Sequence, residues 1–194
     1  MPPEVKIIKN ELLSDNWYTL RKITFDLRRA DGQWERQERE AYDRGNGATI
    51  LLYNKARRTV ILTRQFRMPT YVNGNPEGLL IEACAGLLDA EGAAAGIQRE
   101  TEEETGYRVE APQKIFEAYM SPGSVTEIVH FFVAPYDEAM KVGKGGGVAA
   151  EQEHIEVLEI NFDEACRMIQ SGAIRDAKTI LLLQYAQLNG LLDQ

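Results

Sequence analysis

The sequence of 194 residues has only two cysteines, Cys84 and Cys166, and no long apolar run. Two cysteines are too few for the disulfide framework of a small secreted protein, so we interpret both as reduced, buried thiols of a cytoplasmic protein. The apolar stretches, such as 180–183, are far shorter than the roughly 20 residues that cross a bilayer. The N-terminus shows no signal-peptide core. We therefore expect neither secretion nor a membrane partner.

Basic residues are also scarce relative to acidic ones. The 22 Lys and Arg residues face 30 Asp and Glu, which gives a net charge of −8 and a pI of about 4.9. This balance argues against a nucleic-acid polymer as the partner. Hydrophobic residues make up 44% of the chain, which is typical of a soluble globular protein.

The first 45 residues predict a small antiparallel sheet. Apolar and polar residues alternate over 17–27 and 34–42, and Asp31-Gly32 between them offers a hairpin turn. Such a small sheet is marginal alone, so we expect it to pack on the body or on a second subunit. We assign residues 1–45 to this β-sheet region, with a dimerisation role through exchange between subunits, and residues 46–194 to the main domain.

The main domain mixes strands and helices. Apolar runs predict strands at 48–53, 59–66, 79–84, 114–120, 125–136 and 155–160. Helical spacing predicts helices at 90–105, 162–171 and 177–188, and turn residues predict loops at 70–78 and 137–152. This order indicates an α/β or α+β class.

The first of these helices carries an unusual acidic cluster. Glu100, Glu103 and Glu104 stand at i, i+3 and i+4 and therefore share a helix face. Like charges at these spacings destabilise an isolated helix by roughly 0.2–0.5 kcal/mol per pair, and acids at a helix C-terminus oppose its dipole. A bound divalent cation would compensate both effects. A solvated acidic face shows the same charge pattern, so both interpretations stay open on charge alone.

The full segment from Gly86 to Tyr107 resembles the Nudix box, G-x5-E-x7-R-E-U-x-E-E-x-G-U, in which U is an apolar residue. The spacing from the first glycine to the first glutamate is one residue shorter here, and Thr101 occupies the first U position. The matching residues are Gly86, Glu91, Arg99, Glu100, Glu103, Glu104 and Gly106. The resemblance implies an α/β fold, a Nudix-type α/β/α sandwich with a mixed sheet, and a pyrophosphohydrolase that uses Mg²⁺ or Mn²⁺.

Further motifs resemble the nucleoside-diphosphate-sugar branch of the family, and within it the subgroup that acts on GDP-mannose. They lie at 42–48, 64–67, 120–127, 145–147 and 174–179. The resemblance implies cleavage of GDP-mannose to GMP and mannose 1-phosphate by a homodimer. ADP-ribose or another nucleotide sugar is the alternative substrate, and a non-catalytic module that binds nucleotide sugars is a further alternative.

The resemblance also implies roles for the acidic residues. The metal ligands would be the carbonyl of Ala85 and the carboxylates of Glu100, Glu104 and Glu153, and the catalytic carboxylates would be Glu153, Glu103 and Glu104. Arg99 would hold the glutamates, or would simply be an i,i+4 partner of Glu103. Counting back from 155–157 selects Glu153 as the loop glutamate, whereas counting forward from 145–148 selects Glu151. We prefer Glu153, because the following strand anchors it.

Substrate contacts are the last expectation from the resemblance. They would come from Trp17, Arg39, Glu40, Arg67, Ala85, Gly86, Leu87, Glu127 and Lys178. Each side chain also has a plainer interpretation, such as strand packing for Trp17, solvated surface for Arg67 and Lys178, and a cross-strand charge for Glu127. Glu38 stands where the subgroup has a basic residue. His130 and His154 have no partners at zinc-binding spacing, so we interpret both as structural.

Overall fold

The computed structural model describes residues 3–88, 90–148, 150 and 152–193. The chain forms two compact units, which are described separately here. The first unit contains the residues up to Asn46 together with Tyr119–Ile128, and the second contains Gly47–Ala118 and the residues from Val129 onward. Nothing in the sequence pattern indicated that Tyr119–Ile128 would group with the N-terminal strands.

The first unit is built on a three-stranded antiparallel sheet, as predicted. Its strands are β1 (Val5–Asp15), β2 (Thr19–Arg28) and β3 (Trp34–Asp43), and they lie in that order. The β2–β3 hairpin keeps an unbroken register, from Thr19 opposite Asp43 to Arg28 opposite Trp34. Gly32 lies in the hairpin turn with a φ of 85°, which a residue with a side chain rarely adopts.

Strand β1 is an edge strand with little cover in this chain. Five of its apolar side chains are between 48% and 60% exposed, namely Val5, Ile7, Ile8, Leu12 and Leu13. The register of β1 against β2 is also interrupted twice, between Ile7 and Lys9 and between Leu12 and Ser14. An apolar edge strand of this kind is a surface that proteins usually cover.

The second unit is built on a mixed sheet of seven strands. They are β4 (Gly47–Asn54), β5 (Thr59–Phe66), β6 (Leu79–Glu82), β7 (Cys84–Leu87), β8 (Gln113–Tyr119), β9 (Ile128–Pro135) and β10 (Glu156–Asn161). The main order is β10-β5-β4-β9-β8, while β6 pairs with β5 and β7 pairs with β4. Strands β4 and β9 run parallel, whereas β4 is antiparallel to β5 and to β7.

In the part of the chain that the structure describes, four α-helices accompany this sheet: α1 (Met68–Val72), α2 (Ala93–Thr105), α3 (Phe162–Ser171) and α4 (Ala177–Leu188). A short 3₁₀ turn, η1 (Glu138–Met140), precedes a loop with four glycines, which we call the glycine loop. Its glycines are Gly143, Gly145, Gly146 and Gly147. The predicted bounds of α3 and α4 are confirmed. Within the described ranges, no helix is long and apolar enough to cross a bilayer.

The side chains of the sheet alternate between two faces, and each face has its own helix. Ile97 of α2 belongs to a buried cluster that includes Phe132 of β9. The next side chain back along β9, Phe131, points the other way and stacks on Phe116, which in turn meets Tyr185 of α4. Helices therefore cover both faces, in agreement with the predicted α/β/α arrangement.

Three local predictions need correction. The predicted strand 79–84 is broken at Ala83, because its two halves pair with different neighbours. The predicted loop 70–78 overlaps helix α1, where Pro69 stands in the first turn, a position that does not need its missing N–H. Helix α2 begins at Ala93 rather than at residue 90, since Gly92 before it has a φ of 87°.

Candidate active site

Helix α2 positions the three predicted glutamates. Its last turn ends at Gly106, which adopts the left-handed conformation with a φ of 77°. Glu104 is buried at 2% exposure, and its Oε2 accepts a hydrogen bond from the Ala85 backbone N–H of β7 at 3.3 Å. The helix period thus places one carboxylate directly against the strand that was predicted to supply a backbone ligand.

Raised pKa values show that this cluster disfavours the charged form of its carboxyl groups. Burial is the main cause that raises the pKa of Glu104 to about 8; a hydrogen bond with Cys84 opposes the shift, and the neighbouring charges of Glu100 and Glu153 add to it. Burial also raises the pKa of Glu100, although Arg99 opposes the shift. Three carboxylates of the chain therefore repel one another in a poorly solvated place.

Arg99 contacts two members of the cluster. Its Nη1 donates to Glu103 Oε2 at 2.9 Å, and its Nη2 lies 3.1 Å from Glu100 Oε1. Both interpretations of Arg99 therefore describe real contacts, since it is an i,i+4 partner of Glu103 and also holds Glu100. Glu91, the remaining acid of the box, lies in the exposed turn before α2.

The glycine loop is hydrogen-bonded to the end of α2. The backbone N–H of Gly146 donates to the Glu104 carbonyl at 2.9 Å, and that of Gly147 donates to the Glu103 carbonyl at 3.1 Å. Only a glycine fits at 145, because a Cβ there would lie 2.4 Å from the Glu104 carbonyl oxygen. These bonds satisfy carbonyls that a helix end leaves unpaired.

The same loop carries Glu153 to the cluster. Its Oε2 accepts a hydrogen bond from the Val148 backbone N–H at 3.0 Å, and its charge contributes to the raised pKa values of Glu100 and Glu104. Glu151, the alternative loop glutamate, lies outside the described residues.

The carboxylates of Glu100, Glu104 and Glu153 interact here, and the Ala85 backbone contacts one of them. Carboxylate and carbonyl oxygens are the donors that Mg²⁺ prefers. Among the described residues, no three acidic, histidine or cysteine side chains are already in place to hold a metal ion. The donor chemistry nevertheless fits a divalent cation, because a positive charge would offset both the burial and the repulsion that raise the pKa of Glu104.

Gly86 and Leu87 follow Ala85 in β7. A Cβ on Gly86 would lie 2.2 Å from Glu100 Cδ, so a side chain here would displace the Glu100 carboxylate. Leu87 ends the strand and is partly exposed. The glycine of the box therefore serves close packing between β7 and the acidic helix.

A second ionic cluster joins β6 to α4. Arg67 donates from Nε and Nη2 to the two oxygens of the buried Glu82, at 2.8 and 3.0 Å. Lys178 Nζ lies 2.5 Å from Glu82 Oε2 and 2.9 Å from Asp176 Oδ1. Burial alone would raise the pKa of Glu82, but the two cations outweigh it and hold that pKa below its ordinary value. Arg67 and Lys178 are thus structural partners of a buried acid, whatever else they bind.

In the first unit, Arg44 contacts one of three aromatic residues that are linked to one another. The Trp17 side chain is 86% exposed and meets Tyr18 edge to face, and Tyr18 meets Tyr42 in the same way. The Arg44 guanidinium lies 5.6 Å from the Tyr18 ring centre, and its Nε lies 3.6 Å from Glu127 Oε1. Trp17 and Glu127 are therefore connected through one contiguous set of side chains.

Arg39 and Glu40 lie on β3 of the same unit, and both are exposed. Arg39 donates to the Gln37 side chain at 3.0 Å and to the Glu38 carbonyl at 2.7 Å. Glu38 instead pairs with Lys22 of β2 at 2.8 Å. The acid at the position expected to be basic is therefore neutralised by a cross-strand lysine.

Sequence reasoning gave no role to three residues that these clusters depend on: Glu82, Asp176 and Arg44. A signal existed for Glu82, since it is a single charge inside the apolar run 79–85. Such a residue is seldom buried unless it is paired.

Family models match both parts of the chain. The model described as NUDIX domain matches residues 43–183, and the model described as GDP-mannose pyrophosphatase NudK N-terminal domain matches residues 4–42.

Curated relatives match it from end to end. Proteins named GDP-mannose pyrophosphatase are 59% identical in Yersinia enterocolitica, over 99% of this chain and 100% of the relative, and 56% identical in Cronobacter sakazakii, over 100% of both. A solved structure described as an ADP compounds hydrolase superposes with a TM-score of 0.70 at 17% identity, over 96% of each chain. That likeness confirms the predicted fold.

Proposed function

The chain belongs to the Nudix hydrolase family, and on this premise we propose that it cleaves GDP-mannose to GMP and mannose 1-phosphate with Mg²⁺. The observation that carries the proposal is the buried carboxylate of Glu104 against Ala85, in a chain that matches relatives named GDP-mannose pyrophosphatase over its full length. A buried acid with a raised pKa is a common mark of a functional site.

The metal would be held by Glu100, Glu104, Glu153 and the carbonyl of Ala85. When bound, Mg²⁺ neutralises charge on the phosphoryl oxygens and makes a water molecule more acidic. Mn²⁺ would serve the same ligands, because it also prefers carboxylate and carbonyl oxygens. Glu103 would support these ligands through Arg99, which contacts both Glu103 and Glu100.

Glu153 would accept the proton of the attacking water. Its position supports this role, because the carboxylate sits on the loop that wraps the end of α2 and is oriented by the Val148 N–H. A general base must lie within hydrogen-bond reach of the water it activates, and loop closure would bring it there.

Arg67 and Lys178 would meet the phosphate or the sugar. Arg67 uses Nε and Nη2 on Glu82, and its Nη1 has no hydrogen-bond partner within the described part of the chain. A guanidinium oriented on one edge by a carboxylate is well suited to bind a phosphate oxygen with another. Backbone groups of Ala85, Gly86 and Leu87 would complete this side of the site.

By the family resemblance, Trp17 would stack on the base, and Arg39, Glu40 and Glu127 would bind polar groups of the substrate. The exposed ring of Trp17 supports stacking, because an aromatic face that is free of packing can receive a base. We also propose a cytoplasmic homodimer that buries the apolar side chains of β1. Sedimentation that finds an active monomer would overturn the dimer.

Product analysis tests the proposed reaction. The purified chain is incubated with GDP-mannose, ADP-ribose and other nucleotide sugars, with Mg²⁺ or with EDTA, and the products are separated by chromatography. We expect GMP and mannose 1-phosphate only with Mg²⁺, and we expect Glu104→Gln to lose this activity. Glu102→Gln is the matched control, because Glu102 lies on the same helix but pairs outward with Arg108.

Each result bears on a different part of the proposal. Faster turnover of ADP-ribose than of GDP-mannose would replace the substrate. No turnover of any nucleotide sugar with Mg²⁺ would leave only the non-catalytic binding module.

A further inference from the structure

The break between β6 and β7 lies two residues before the proposed ligand Ala85. The chain leaves its pairing with β5 after Glu82 and begins pairing with β4 at Cys84. Ala83, between the two strands, is 1% exposed. A buried strand break leaves backbone polar groups without sheet partners, and each of them must be satisfied in another way.

Three threonine hydroxyls satisfy these groups. Thr63 of β5 donates to the Glu82 carbonyl at 3.2 Å, and Thr49 of β4 donates to the Cys84 carbonyl at 3.0 Å. The third is Thr179 of α4, whose Oγ1 accepts the Ala83 backbone N–H at 2.6 Å. The three threonines are Thr49, Thr63 and Thr179, and all are fully buried.

The hydrogen-bond direction at Thr179 is determined by its partners. Because the Ala83 N–H can only donate, the Thr179 oxygen accepts there, and its own proton goes to Asp176 Oδ2 at 2.6 Å. Asp176 also caps α4 by accepting the Thr179 backbone N–H at 3.0 Å. One carboxylate therefore orients the hydroxyl that holds the strand break.

The other oxygen of Asp176 links this chain of bonds to the cationic cluster. Asp176 Oδ1 pairs with Lys178, and Lys178 pairs with Glu82, the residue directly before Ala83. The start of α4 thus holds the break at two adjacent positions, through a side chain at Glu82 and through the backbone at Ala83. Ala85, two residues further, donates to Glu104.

We propose that Thr179 is a positioning residue, which fixes the break at Ala83 and thereby aims the Ala85 backbone at the acidic cluster. This inference rests on the proposed function, in which Ala85 and Glu104 bind the metal. Thr179 itself touches neither metal nor substrate. Its loss should therefore weaken metal binding and turnover, while the affinity for GDP-mannose changes little.

The experiment compares Thr179→Val, Thr179→Ser and the wild type. Thr179→Val removes the hydroxyl at nearly constant shape, and Thr179→Ser retains it. Mn²⁺ affinity is measured without substrate by the loss of the free-ion electron paramagnetic resonance signal, and kcat and KM are measured with GDP-mannose. We expect Thr179→Val to bind Mn²⁺ about tenfold more weakly, as is typical when a group behind a ligand is removed.

Two further measurements separate positioning from general damage. Hydrogen exchange of the peptide that contains Ala83 should be faster in Thr179→Val and normal in Thr179→Ser. Thr59→Val is the matched control, since Thr59 bonds Tyr136 and Glu159 at the start of β5 and should leave Mn²⁺ binding unchanged. If Thr179→Val does not fold, Thr179→Ala removes the hydroxyl without placing a methyl group against Ala83.

The outcomes are distinct. Faster exchange at Ala83 with Mn²⁺ affinity and kcat within about twofold of wild type would overturn the inference, because outer partners of a metal site normally cost more than that. The inference would also be overturned if Thr179→Ser, which retains the hydroxyl, bound Mn²⁺ as weakly as Thr179→Val. If Mn²⁺ affinity depends on the Thr179 hydroxyl but the wild type cleaves no GDP-mannose, the proposed substrate is wrong and the role of Thr179 still stands.

Discussion

Replacing Gly86 with alanine tests whether the contact between β7 and α2 controls the acidic site. The new Cβ would stand 2.2 Å from Cδ and 2.4 Å from Cγ of Glu100. Carbon atoms pack at about 3.5–4.0 Å, so the Glu100 carboxyl group must retreat by more than about 1 Å. A displacement of this size at a reacting centre costs on the order of 100-fold in rate.

The assay is a Mg²⁺ titration of GDP-mannose hydrolysis at fixed substrate. Gly86→Ala should need more Mg²⁺ for half-maximal activity and should have a kcat lower by about 10- to 100-fold. Circular dichroism should show an unchanged fold, because Gly86 lies in a strand and does not have the positive φ that only glycine tolerates well.

Gly96→Ala is the control, because Gly96 lies in α2 one turn before Glu100. A Cβ on Gly96 would meet only Leu88 Cδ2, at an ordinary 3.9 Å. Alanine inside α2 should raise stability by about 0.5–1 kcal/mol and leave activity unchanged. Wild-type kcat and Mg²⁺ dependence in Gly86→Ala would refute the argument that close packing at Gly86 positions Glu100.

Three further predictions concern single side chains. The folded pKa of Glu104 (about 8) exceeds its ordinary 4.5, so without metal the native state holds an extra proton. The free energy of unfolding should then fall as pH rises between these values, and a flat profile in urea titrations would contradict this. Leu182→Ala, in the fully buried part of α4, should cost about 2–5 kcal/mol by the same titrations. Glu153→Gln should lower kcat far more than substrate affinity, whereas full activity in Glu153→Gln and loss in Glu151→Gln would reverse our choice of loop glutamate.

Local patterns were sufficient for the elements whose residues interact along the chain. The face shared by Glu100, Glu103 and Glu104 follows from the helix period alone, and so do the bounds of α3 and α4. The hairpin at Gly32 likewise follows from two adjacent residues. In these cases the partners are neighbours in sequence, so spacing carries the information.

Local patterns failed where one segment of the chain can pair with two different strands. The run 79–84 is apolar except for Glu82 and predicts one strand, yet 79–82 pair with β5 and the chain from Cys84 onward pairs with β4. Periodicity describes which face a residue occupies, but it does not describe which strand lies beside it. The position of the break at Ala83 is therefore determined by the tertiary structure.

The sequence by itself determined the family, the mixed α/β class and the acidic helix, because the box motif and the helix period are local properties of the chain. Only the tertiary structure decided that Glu82 is buried between Arg67 and Lys178, and that Thr179 holds the backbone of Ala83. Lys178 and Glu82 are separated by 96 residues, as are Thr179 and Ala83. No local spacing encodes such a pairing, which exists because α4 packs against the sheet where β6 ends.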